Sequence, residues 1–169
     1  MSSASQPDLR ILGHLCLRLL LFAGVGLAFG CEPWRHVSEC GRVTALSNST
    51  VSHIQELIDG SPTPTADVYE KIAAHYETLH MDLKQAKFHS RVMKRPLKRQ
   101  LSLLERLARD ARQYGEHLRA LQAARDDGPP EAITREEQAL QRLTQRTKKT
   151  SADYQAWASE LEQTCSPQR

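Results

Sequence analysis

The stretch Pro64–Arg125 reads PTADVYEKIAAHYETLHMDLKQAKFHSRVMKRPLKRQLSLLERLARDARQYGEHLRALQAAR. Two of its positions recur every seven residues. One carries Tyr69, Tyr76, Leu83, Ser90, Leu97, Leu104, Ala111 and Leu118. The other carries Ile72, Leu79, Ala86, Met93, Gln100, Leu107, Tyr114 and Leu121. Only Ser90 and Gln100 interrupt the seam. That period predicts helix, and the seam demands partner helices, because its apolar side gains nothing by facing water. Pro96 stands in the middle of the stretch. A proline inside a helix removes a hydrogen bond and clashes with the preceding turn, at about 3 kcal/mol. Either the helix kinks at Pro96 or the chain turns back near residues 90–96. The unbroken register favours a kink. Compactness favours a turn, since an unbroken helix of this length would run to about 93 Å at 1.5 Å per residue.

Breaks flank this stretch. Gly60-Ser61-Pro62-Thr63-Pro64-Thr65 lies before it and Asp126-Asp127-Gly128-Pro129-Pro130 after it, and both end helices. Thr63 is a candidate cap, with Pro64 at the first helical position. Upstream, Trp34, Val37, Cys40, Val43, Val51, Ile54 and Leu57 fall at helical spacing. Gly41 and Ser47-Asn48-Ser49-Thr50 weaken that helix, which could begin only near Thr50. Downstream, Ile133, Leu140, Leu143, Tyr154, Trp157 and Leu161 share a face, and Thr134 with Glu137 fits a capping box. The expected fold is an all-α antiparallel helical bundle: four helices if the chain turns near Pro96, otherwise a long kinked helix with two shorter ones.

The composition agrees. Aromatics make up only 5% of the residues, hydrophobic residues 40%, and charged residues of both signs 25%. The net charge of +3 and the lack of any recognisable module argue against nucleic acid.

The first thirty residues differ from the rest. Arg10 and Arg18 precede the apolar run Leu19–Gly30, about twelve residues long, whereas a spanning helix needs about 20. This pattern predicts a signal peptide over residues 1–30 and a helical bundle domain over 31–169. Two kinds of peptidase fit a cut before Cys31. Ala28-Phe29-Gly30 suits an ordinary signal peptidase. Leu27-Ala28-Phe29-Gly30-Cys31 resembles the lipobox of bacterial lipoproteins, whose Cys takes a diacylglyceryl group; Phe29 and Ala28 depart from the usual residues. Cysteine parity bears on the choice. Cys16 leaves with the signal, so Cys31, Cys40 and Cys165 remain, and exported proteins pair their thiols. Lipid on Cys31 leaves Cys40 and Cys165 as a pair. The rival is a Cys31–Cys40 bridge with Cys165 free. In lipoproteins, Glu32 rather than Asp after the Cys resembles outer-membrane sorting.

Motifs for chemistry are sparse. Glu77-Thr78-Leu79-His80 matches the Glu-x-x-His unit of di-iron bundles, but those sites need two such units and two further glutamates. His75 and His80 stand five apart and do not share a face as i, i+4 ligands would. There is no HExxH, no haem attachment motif, no Gly-x-Ser-x-Gly and no Walker loop. The expectation is a protein without catalytic activity, metal or cofactor. Asn48-Ser49-Thr50 is a glycosylation sequon that matters only in a eukaryotic secretory route.

Lys84, Lys87, Arg91, Lys94, Arg95, Lys98 and Arg99 lie between Leu83 and Leu104 with no acidic residue among them. Such a run is either a solvated helical face or a contact for an anionic surface. The leader ending at Cys31, a Cys near the first helix, the segment from Tyr69 to Tyr76 and the terminal Cys165 together resemble small helical bacterial lipoproteins of the myxobacterial type. That resemblance implies a membrane partner through a lipid anchor and a place in the cell envelope, at the outer membrane facing the periplasm. It transfers no activity. The functional expectation is an envelope-anchored structural or protein-interaction module. The alternative is a ligand- or metal-binding helical bundle of the periplasm.

Overall fold

A computed structural model describes residues 31–61 and 63–166. The expected signal peptide, residues 1–30, lies outside them. The chain forms four helices: α1 Cys31–Asp59, α2 Ala66–Gln85, α3 Lys94–Asp127 and α4 Pro130–Cys165. Among the described residues no helix is long and apolar enough to cross a membrane.

The chain turns rather than kinks, and it does so over residues 86–93, ahead of Pro96. Were the helix to run through, the proline ring would meet the carbonyl four residues back. Instead α3 starts at Lys94, and the first bond closes from the Leu97 N–H to the Met93 carbonyl at 3.0 Å. Pro96 therefore falls in the first turn, where an N–H has no intrahelical partner to lose. Its own carbonyl accepts the Trp157 indole N–H at 2.9 Å, tying α4 to the start of α3. The heptad register across the turn is thus carried by two helices. Tyr69, Ile72, Leu79 and Leu83 are buried from α2; Gln100, Leu104, Leu107, Ala111, Tyr114 and Leu121 are buried from α3.

Three local expectations are corrected. α1 runs through Gly41 and the Ser47–Thr50 segment without a break, because Ser47 is buried in tertiary packing that overrides weak propensity. The cap of α2 falls on Thr65, not Thr63, and makes no side-chain bond. Thr134 lies inside α4 and donates to the Pro130 carbonyl at 3.3 Å, so it caps nothing; Pro129 and Pro130 open that helix.

Two apolar clusters hold the bundle. The first gathers Cys40 and Val43 of α1, Leu79 and Leu83 of α2, Met93, Leu103 and Leu104, and Trp157 and Leu161 of α4. The second, towards the other end, gathers Ile54, Tyr69, Ile72, Ala73, Ala111, Tyr114 and Leu143. Tyr69 stacks on Tyr114 with ring centroids 4.5 Å apart, and burial pushes the Tyr69 phenol far above its ordinary range. Gln100, the polar break in the seam, is wholly buried and donates to the Ser47 hydroxyl at 2.8 Å. The long side of the bundle is laced by arginine–carboxylate pairs. Arg112 meets Glu77 at 2.5 Å, Arg119 meets Glu70 at 2.6 Å, and Arg146 meets the buried Asp110 at 2.7 Å.

Candidate functional site

The end of the bundle that holds the first cluster carries every residue singled out for the surface of the protein. Cys40, in the third turn of α1, is bonded to Cys165, the last residue of α4, with the Cα atoms 5.8 Å apart. The pairing is the one that sets Cys31 apart as the odd cysteine of the chain beyond residue 30. Met93 packs here too, its sulfur 3.7 Å from that of Cys40. So the start of α1, the α2–α3 turn and the end of α4 meet at one end.

Glu39 fastens the turn. Its carboxylate accepts the backbone N–H of His89 at 2.7 Å and that of Ser90 at 3.1 Å. The α2–α3 turn has amide donors with no helix to satisfy them, and a buried amide left unpaired is expensive. A carboxylate on α1 supplies the acceptor, and the interaction is charge-assisted. Phe88 packs against the first cluster from the same turn.

The seven basic residues surround this point. Lys84 lies in the last turn of α2, Lys87 and Arg91 in the connecting turn, and Lys94, Arg95, Lys98 and Arg99 in the first two turns of α3. All seven are exposed. Arg99 pairs with Glu160 of α4 at 2.5 Å, and Arg95 approaches the same carboxylate at 4.0 Å. Lys84, Lys87, Arg91, Lys94 and Lys98 have no ion pair among the described residues. Their charges are not neutralised within the bundle, in contrast to the arginines along its side.

Three features of this end escape sequence reasoning. Arg42 of α1 lines a cleft with Ser38, Glu39, Lys87, Phe88 and His89. Glu39 itself sits one turn before Val43, on the apolar face, and a carboxylate in that position was the signal available. Finally, the described residues expose three large hydrophobic side chains: Met81 and Val92, close to the basic residues in sequence, and Val37 in the second turn of α1.

The Glu-x-x-His unit of α2 is occupied by the bundle's own contacts. Glu77 pairs with Arg112, whose guanidinium holds its carboxyl below the usual range, and His80 stands 3.2 Å from Glu105. Among the described residues no three His, Cys, Asp or Glu side chains are grouped to hold a metal ion. No protein-family model, curated protein or solved structure matches the chain.

Proposed function

We propose that this protein is a lipoprotein of the bacterial cell envelope, at the outer membrane facing the periplasm. A lipid on Cys31 tethers it. The four-helix bundle is a structural or protein-interaction module with no catalytic site, and its basic end rests on the anionic membrane surface. The observation that carries this reading is the Glu39 clamp on the α2–α3 turn. Glu39 stands eight residues after Cys31, about 12 Å along a helix. The unpaired cations are therefore near the residue that would carry the lipid. A single acyl-type anchor holds a protein only marginally, and a second signal such as a basic patch makes the attachment stable. The Cys40–Cys165 bond supports the same reading, because it leaves Cys31 without a partner in the exported chain.

The test is cell fractionation of the chain and of its Cys31→Ser variant. The native chain is expected in the membrane fraction, resistant to salt washing. The variant is expected to leave that fraction in high salt, since only screened charge then holds it. A native chain that washes off like the variant contradicts the lipid tether.

A further inference from the structure

We propose that the cleft between α1 and the α2–α3 turn binds the phosphate of an anionic phospholipid headgroup. The inference rests on the reading that this end faces a membrane, and it assigns that contact to particular atoms. Arg42 enters the cleft from α1, and Lys87 and His89 from the turn. Neither Arg42 nor Lys87 has an ion pair among the described residues.

The acid in the cleft does not satisfy them. The Glu39 carboxylate is turned to the backbone amides of His89 and Ser90, which also hold the turn in place. The cleft is therefore lined by a guanidinium and an ammonium, with the backbone of the turn fastened beside them. A guanidinium fork and a lysine ammonium match the oxygens of a phosphate, in two-pronged and point-charge fashion respectively.

Exposed apolar groups point to a lipid rather than a free phosphate. Val37 is 54% exposed on α1, two residues before Glu39; Val92 is 59% exposed in the turn; Met81 is 48% exposed. Met81 precedes the end of α2 by four residues, about 6 Å along the helix. A free anion would leave these side chains in water. A membrane takes the phosphate into the cleft and the apolar groups into the headgroup–acyl boundary, the usual arrangement of a surface-bound segment.

The experiment measures co-sedimentation of the mature chain, residues 31–169, carrying Cys31→Ser, so that neither the leader nor a lipid is attached. It uses vesicles of phosphatidylcholine with and without phosphatidylglycerol. Binding should require phosphatidylglycerol. Two paired variants remove equal charge from exposed sites: Arg42→Gln/Lys87→Gln inside the cleft, and Lys94→Gln/Lys98→Gln outside it. The cleft pair should weaken binding about tenfold more than the outer pair, because it also removes charge-assisted hydrogen bonds. Val37→Ser/Val92→Ser should weaken vesicle binding as well. Equal losses from the two charge pairs would overturn the cleft and leave only diffuse attraction at this end. Unchanged binding of the valine variant would overturn the apolar contact with the membrane, on which the choice of lipid over free phosphate rests. Binding that ignores phosphatidylglycerol would overturn both the cleft and the basic-end contact, while the lipid on Cys31 is judged separately by mass.

Discussion

The carboxylate of Glu39 accepts the backbone N–H of His89 at 2.7 Å, fifty residues further along the chain. One side chain of α1 thereby fixes the position of the α2–α3 turn and of the cations on it. Replacing Glu39 with Ala should strip two backbone amides of their acceptor, at a cost of about 1–3 kcal/mol. Amide exchange at His89 and Ser90 should rise well above that in the helices on either side. Protection unchanged at both amides would show that the turn is held by something else.

The Cys40–Cys165 bond closes a loop with a sequence separation of 125 residues. By the chain-entropy argument a loop of that size stabilises the fold by about 4–5 kcal/mol. A double Cys40→Ala/Cys165→Ala variant should unfold at a markedly lower urea concentration than the oxidised chain. An unchanged midpoint would mean that the bond adds nothing to the packing of α1 and α4.

Two glycines should respond to alanine with opposite signs. A Cβ on Gly41 meets nothing within 4 Å, and the position is exposed inside α1. Gly41→Ala should stabilise by about 0.5–1 kcal/mol through helix propensity and a less flexible unfolded chain. Gly115 is buried where α3 crosses the start of α2. A Cβ there would stand 3.0 Å from the Ala66 backbone oxygen and 3.6 Å from the Tyr69 Cβ. The obstacle is backbone, which cannot swing aside. Gly115→Ala should therefore destabilise by about 1–2 kcal/mol despite its better propensity. Thermal unfolding of the two variants checks both signs.

Acid should loosen the bundle along its side. Hydrogen bonds from Arg119, Arg112 and His117 hold the carboxyls of Glu70, Glu77 and Glu136 below their ordinary range. Each group binds its proton more readily in the unfolded chain. Their contribution is thus complete above the ordinary carboxylate value of about 4.3 and fades as pH falls below it. The Glu70 and Glu77 pairs are about half exposed, so salt should shrink their share of the effect, whereas Glu136 is 8% exposed and less screened. Urea unfolding at pH 7, 5 and 3 should show stability nearly flat over the upper interval and falling over the lower. A rise in stability towards pH 3 would contradict the assignment.

Much of the fold was legible because burial is periodic. The seam from Tyr69 to Leu121 exposes its helical repeat directly, and the glycine–proline breaks mark the connections on either side. The turn itself was harder to see. Residues 86–93 contain no glycine or proline, and the heptad register continues across them. Only the fit of Pro96 into a first turn decides for a new helix, and that is a steric fact of three dimensions. Likewise the Ser47–Thr50 run looked like a weak helix start, because the partner that stabilises it, Gln100, is 53 residues away. At the basic end the cations were plain in the sequence. Their neighbours Glu39 and Arg42 were not, since they come from another helix and reach the cations only through the fold.

The chemical state of Cys31 decides most directly whether a lipid tethers the protein. Intact-mass and peptide mass spectrometry of protein extracted from its own membranes should find a mature chain beginning at Cys31, with a diacylglyceryl group on its sulfur and with Cys40 and Cys165 linked. A chain that retains residues 1–30, begins elsewhere, or carries an unmodified Cys31 thiol would contradict that tether.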